Sequence, residues 1–162
     1  MKSILLIGFV TAGKSTIGQR LANQLGCNFI DCDQLLVAQQ GKSIAQLFEG
    51  GEQHFRWHEN AMLATLPTTH AVIACGGGAV LCDNFSSLAN SCDVVWLDID
   101  ANTCLARLGQ TKRPLQDGKS PTELAAMLQQ RNDLYAKYST IKVDATVSID
   151  EVFSQILDKL SI

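Results

Sequence analysis

No stretch of this sequence approaches the roughly 18 consecutive apolar residues that a membrane-spanning helix needs. No early apolar segment ends at a small-residue cleavage site, so a secretory signal is not expected. Positive charge is scarce: 13 lysines and arginines against 16 aspartates and glutamates leave a formal net charge of -3. That balance argues against a nucleic-acid partner, which normally leaves a basic footprint. The six cysteines (Cys27, Cys32, Cys75, Cys82, Cys92 and Cys104) form no C-x-x-C pair and sit mostly in or beside apolar segments. They read as reduced, partly buried thiols rather than as disulfides or zinc ligands. His54, His58 and His70 show no ligand spacing with cysteines or carboxylates. There is no internal repeat and no low-complexity segment. What remains is a cytoplasmic globular protein whose 162 residues suit one domain with a substantial core.

Strand and helix signals alternate along the chain. Residues 2–8, 28–31, 71–75, 93–99 and 141–146 read as short strands, and three of these are near-continuous apolar runs. Such runs are expected of strands buried on both faces of a parallel sheet. Ile17, Leu21 and Leu25 recur at i, i+4, i+8 and give the first helix one apolar face. Ser120 with Glu123, and Ser148 with Glu151, match the capping box, and Pro121 occupies the favoured first helical position. Together these signals predict a three-layer α/β/α domain over 1–162 around a five-stranded parallel sheet. Residues 109–119 are polar and carry glycine and proline between two helices, as a lid over a site would.

The segment LLIGFVTAGKSTIG fits G-x-x-x-x-G-K-S through Gly8, Gly13, Lys14 and Ser15. It follows a predicted strand and opens a helix, the context in which backbone N–H groups cradle phosphates. Lys14 adds a point charge there, and the Ser15 hydroxyl is placed to bind Mg²⁺. No N-K-x-D guanine-reading motif accompanies it, which weakens the case for a GTPase switch. Asp31 and Asp33 lie two apart at the end of the second strand. In extended chain both would face the crevice where α/β folds bind ligands, unless Asp33 merely N-caps the following helix. Arg56 and Glu59 are i, i+3 on a helix, where a braced guanidinium suits bidentate grip on a carboxylate. Taken alone, that pair reads as a solvated surface ion pair. Gly76, Gly77 and Gly78 after the third strand suggest close backbone approach by a ligand, or unusual dihedrals. Of only five arginines, Arg56, Arg107, Arg113 and Arg131 fall in the braced helix, beside and within the lid, and on the next helix. Arginine binds carboxylate and phosphate in a fork that lysine cannot make, so the set fits two separate anionic ligands.

The order G-x-x-x-x-G-K-S, D-x-D, F-R-x-x-E, G-G-G, an R-P lid and R-x-x-x-Y resembles shikimate kinase, a P-loop kinase of the nucleoside-monophosphate-kinase type. The resemblance covers nearly the whole chain. It implies phosphorylation of the 3-hydroxyl of shikimate by ATP, with Mg²⁺ as cofactor, in aromatic amino-acid biosynthesis. It further implies that Thr11, Ala12, Gly13, Lys14, Ser15 and Thr16 wrap the phosphates, while Ser15 and, through water, Asp31 serve the metal. Asp33 would meet the shikimate hydroxyls and receive the proton. Arg56 and Arg131 would bind the carboxylate with Glu59 as brace, and Gly77, the middle of the Gly76–Gly78 triplet, would contact the substrate. Arg113 would reach ATP, and Arg107 would lie near the adenine. Shikimate and ATP are then the only expected partners, with the chain a monomer and neither nucleic acid nor membrane involved. Three departures stand out: Thr11 where the family usually has glycine, R-P-L-Q in the lid, and no arginine for the adenine in DATVSIDE. A gluconate-kinase-like enzyme shares the loop and the paired carboxylates but not F-R-x-x-E with G-G-G. A nucleotide-gated binding module without turnover is the alternative from another class.

Overall fold

A computed structural model describes residues 1–109 and 119–161. In chain order the elements are β1 (Ile4–Ile7), α1 (Lys14–Leu25), β2 (Asn28–Asp31), α2 (Cys32–Gln40), α3 (Ile44–Phe48), α4 (Glu52–Leu63), β3 (Ala71–Ala74), a 3₁₀ turn (Ala79–Leu81), α5 (Asp83–Asn90), β4 (Asp93–Asp98), α6 (Ala101–Leu108), α7 (Pro121–Tyr138), β5 (Ile141–Asp144) and α8 (Ile149–Leu160). Among the described residues the strands form one five-stranded sheet in the order β2-β3-β1-β4-β5, and every neighbouring pair is parallel. The three apolar runs are its three inner strands. Leu5, Leu6, Val72, Ile73, Val94 and Val95 are all fully buried, because helices cover both faces of a parallel sheet.

The edge strands differ. β2 and β5 are only partly buried, and their sequences NFID and IKVD mix polar with apolar residues accordingly. β5 stops at Asp144, two residues before the sequence pattern suggested. There the Asp144 carboxylate accepts from the Thr146 backbone N–H (2.9 Å) and hydroxyl (2.6 Å), turning the chain toward α8. The predicted capping boxes at Ser120 and Ser148 are both formed. A third, Ser43 with Gln46, opens α3. All six cysteines are free, and all but Cys27 are buried.

In α1, Ile17 and Leu21 are fully buried as the periodicity predicts, and Leu25 packs at the margin of the core. Between them Gly18 lets the helix lie directly on the sheet. A Cβ there would stand 2.5 Å from Phe29 Cε2 and 3.2 Å from Leu6 Cδ1. The register of α1 fixes the direction in which the phosphate-loop helix points. The parallel order brings the carboxyl ends of β1, β2 and β3 to one edge of the sheet, where α/β folds place their ligands.

Gly18→Ala tests this packing. Alanine favours a helix over glycine by about 1 kcal/mol. Overpacking against Phe29 and Leu6 costs about 1–3 kcal/mol, so the variant is expected to be less stable in urea unfolding. A gain in stability would show that α1 has slack against the sheet.

Candidate active site

Gly8 leaves β1 at φ +145°, and a Cβ on it would stand 2.5 Å from the Leu97 carbonyl oxygen of β4. The chain then turns through Thr11 at φ +67° and Gly13 at φ +91°, the residue that caps α1. Thr11 is therefore a β-branched residue in a left-handed conformation, which glycine adopts far more readily. Two neighbours support this bend: Arg107 Nη1 donates to the Thr11 carbonyl (2.9 Å), and the Cys104 thiol donates to the Val10 carbonyl (3.6 Å). Lys14 curls back over the loop, its ammonium donating to the carbonyls of Gly8 (2.7 Å) and Phe9 (3.0 Å).

The Ser15 hydroxyl donates to Asp31 Oδ2 at 2.5 Å. The other carboxylate oxygen of Asp31 accepts from the backbone N–H groups of Asp33 (3.0 Å) and Gln34 (3.2 Å). The cap of α2 is thus Asp31, not Asp33, and Asp33 is not extended chain as the sequence suggested. It lies in the first turn of α2. The two-residue step into the helix aims the carboxylates differently: Asp31 toward Ser15, Asp33 toward Gly76.

The Arg56–Glu59 pair is not a surface pair. Glu59 is 1% exposed, and its Oε2 accepts from Arg56 Nη1 at 2.5 Å. The same oxygen lies 3.5 Å from the Cys82 thiol, which donates to it. Glu52, i-4 to Arg56, accepts from Nη2 at 3.3 Å. Burial acts to lower the Arg56 pKa, but Glu59 and Glu52 outweigh it and raise it. For Glu59, burial raises the pKa by more than the facing guanidinium lowers it. Burial and the adjacent carboxylate push the Cys82 thiol to about 12, so it stays protonated and keeps its hydrogen to donate. The helix carrying the pair is pinned by Phe55 stacked on Phe48 (4.1 Å) and by Asn60, hydrogen-bonded twice to Asn84.

Two of the three glycines are explained by this pair. None has a positive φ among the described glycines, so unusual dihedrals are not their reason. A Cβ on Gly78 would stand 2.1 Å from Arg56 Nη2, and one on Gly76 would stand 2.7 Å from Glu59 Oε1 and 3.4 Å from Asp33 Oδ1. The absent side chains make the clearing that holds the guanidinium and both carboxylates. Gly77 instead packs toward the phosphate loop, 3.6 Å from Gly8 O and Val10 N at its would-be Cβ. Arg131 reaches the same region from α7 and is buried, 6% exposed. It lines a pocket of about 480 Å³ together with Glu52, Leu81 and Met127.

The structure therefore brings Lys14, Ser15, Asp31, Asp33, Arg56, Glu59, Arg131 and the Gly76–Gly78 loop to one edge of the sheet. Arg107 differs: its guanidinium ties the Thr11 carbonyl to that of Ala145 (2.8 Å), fastening the phosphate loop to the β5–α8 connection. Arg113 and nearly all of the expected lid, residues 110–118, lie outside the described residues. Sequence reasoning missed Glu52 and Cys82. The i, i+4 spacing of Glu52 and Arg56 signals the first, whereas nothing local signals a contact from Cys82 across 23 positions.

The shikimate kinase family model matches residues 10–161. This chain belongs to the shikimate kinase family. A shikimate kinase of Moorella thermoacetica is 40% identical over 146 residues, covering 88% of this chain and 84% of that protein. One from Enterococcus faecalis is 36% identical over 99% of both chains. The structure of shikimate kinase from Acinetobacter baumannii in complex with shikimate matches with a TM-score of 0.89 at 30% identity, over 99% of this chain and 94% of that one.

Gly78→Ala tests the clearing. Its φ of -100° accepts alanine, so any penalty comes from the clash with Arg56. Urea unfolding should show a loss of about 1–3 kcal/mol, the range for overpacking. Most of that loss should vanish in an Arg56→Ala background, because the two changes act on one contact. An undiminished penalty there would place the clash elsewhere.

Proposed function

We propose that this chain, as a single-domain monomer in the cytoplasm, transfers the γ-phosphoryl group of ATP to the 3-hydroxyl of shikimate, within aromatic amino-acid biosynthesis. The observation that carries this reading is the half-buried Arg56, braced by the buried Glu59 in the clearing of Gly76 and Gly78, with Asp33 bordering that clearing at Gly76. A guanidinium held at fixed orientation beside a carboxylate suits an acceptor that carries both an acid group and hydroxyls. Among the described residues no helix is long and apolar enough to cross a membrane.

Phosphoryl transfer asks a protein mainly for alignment and charge stabilisation. Residues Thr11 to Thr16 (Thr11, Ala12, Gly13, Lys14, Ser15 and Thr16) would hold the ATP phosphates, the N–H groups at the start of α1 and the Lys14 ammonium supplying positive charge. A hydroxyl and a carboxylate in contact, Ser15 and Asp31, are hard oxygen donors that fit Mg²⁺. Bound there, the ion would neutralise phosphate charge. Arg56 and Arg131 would take the shikimate carboxylate, with Gly77 offering backbone contact. That grip turns the 3-hydroxyl toward Asp33, which would hold it and accept its proton as the oxygen attacks. Arg107 and the connection after β5 would border the adenine, with backbone groups near Ala145 in place of the absent arginine.

A coupled ADP-release assay with shikimate, quinate and gluconate as acceptors tests the assignment: turnover is expected with shikimate, and preference for gluconate would overturn it. Asp33→Asn should lower kcat by about 10²–10⁴-fold, the usual worth of a general base. A change confined to the ATP KM would place Asp33 on the nucleotide side instead. Arg56→Lys should weaken shikimate binding about tenfold or more in calorimetry, since a point charge cannot reproduce the fork.

A further inference from the structure

Helix α5 begins without a side-chain cap of its own. Cys82 occupies its N-cap position, where serine, threonine, aspartate or asparagine normally turns a side-chain oxygen onto the first backbone N–H groups. Asn60 of α4 supplies that oxygen from outside, accepting from the Asn84 N–H at 2.8 Å. The Cys82 side chain is left out of the cap and reaches α4 instead. Its thiol donates to Glu59 Oε2 at 3.5 Å and lies 3.9 Å from the Arg56 carbonyl oxygen. The backbone leading to it is closely folded: the Leu81 N–H donates to the Gly78 carbonyl (2.9 Å) and the Cys82 N–H to that of Ala79 (3.0 Å). One short segment, residues 76–82, therefore provides both the glycines that clear space for the Arg56–Glu59 pair and a donor to the pair's acid.

We infer that Cys82 is a positioning residue for the acceptor's carboxylate: its thiol hydrogen fixes Glu59 Oε2 as the partner of Arg56 Nη1, and so ties the brace of Arg56 to the Gly76–Gly78 loop. A carboxylate held by one donor can rotate and exchange its oxygens. Two donors on Oε2 fix which oxygen the guanidinium meets and leave Oε1 beside Gly76. The thiol does this as a neutral group, since burial and the adjacent carboxylate keep it protonated. A lysine or arginine at this position would orient Glu59 as well, but it would compete with Arg56 for the negative charge. A carboxylate there would repel Glu59. This inference rests on the reading of Arg56 as a carboxylate-binding residue.

Three substitutions separate the hydrogen from the volume. Cys82→Ala and Cys82→Val both remove the donor, but alanine leaves space and valine refills it, whereas Cys82→Ser keeps a donor. In the full-length enzyme both apolar variants should raise the shikimate KM about three- to tenfold, the range for one lost hydrogen bond. Serine should restore most of that loss. The ATP KM and kcat should stay nearly unchanged in all three, because the phosphate loop has its own supports in Arg107 and Cys104. In an Arg56→Lys background, Cys82→Val should cost little further shikimate affinity, since the contact it serves is already altered. A KM raised by alanine but not by valine would show that the thiol only fills space, and a serine variant as weak as valine would show that its hydrogen is not used. Either result overturns the inference, as does a matching rise in the ATP KM. Full shikimate affinity in Arg56→Lys would overturn the carboxylate reading beneath it; a loss there with none in Cys82→Val would overturn this inference alone. Should the alanine variant fold poorly, the contrast between valine and serine decides the question.

Discussion

The acceptor side proposed for this molecule depends on an ion pair largely withdrawn from water. Placing Glu59 at 1% exposure would be severely unfavourable without a partner, and removing one member of a buried pair typically costs about 3–5 kcal/mol. Arg56 supplies the partner, the Cys82 thiol adds a donor, and Asn60, Asn84 and the Phe48–Phe55 stack hold the helix that carries both charges. Two missing side chains complete the arrangement, since Gly76 and Gly78 leave the volume the pair occupies. Orientation, rather than net stability, is what such a pair contributes. A guanidinium held at both Nη1 and Nη2 has little freedom left, and a preorganised grip loses less entropy on binding.

The phosphate loop is organised by backbone geometry instead. Its bend runs through Gly8, Thr11 and Gly13, all at positive φ, and is propped by Arg107 and Cys104 from α6. A left-handed conformation at a non-glycine residue costs about 1–2 kcal/mol. The Arg107 bond to the Thr11 carbonyl is the visible compensation. It also joins the loop to the β5–α8 connection through the Ala145 carbonyl. The two halves of the site meet at Gly77, which touches the phosphate loop on one side and Tyr135 on the other.

Much of this was legible in the residues themselves. The inner strands announced themselves as unbroken apolar runs, because a parallel sheet buries both faces. The caps of α7 and α8 were readable because a capping box is satisfied within four residues. Failures began where a side chain's surroundings came from elsewhere in the chain. Arg56 and Glu59 share a helix face, but only the fold says that face is turned inward against Gly78 and Cys82. Asp33 looked extended because the sequence does not reveal that Asp31 accepts two N–H bonds and starts the helix one residue later. The glycine triplet suggested freedom of dihedral or a ligand's approach, whereas its first and last members make room for this protein's own side chains. Gly77 packs toward the phosphate loop instead.

In the proposed reaction, shikimate is recognised through an Arg56 whose orientation depends on ionised Glu59. Burial holds the Glu59 pKa above that of an exposed glutamate, so the brace is present above that raised value and is lost as pH falls through it. The direct test is calorimetric titration of shikimate across the acidic range for the unaltered chain and for Glu59→Gln. Affinity should fall in the unaltered chain at a pH above the ordinary glutamate range. Glu59→Gln should bind more weakly at neutral pH and lack that step, keeping only the decline due to the substrate's own carboxylate, which both proteins share. Parallel curves throughout, with equal affinity at neutral pH, would contradict the account.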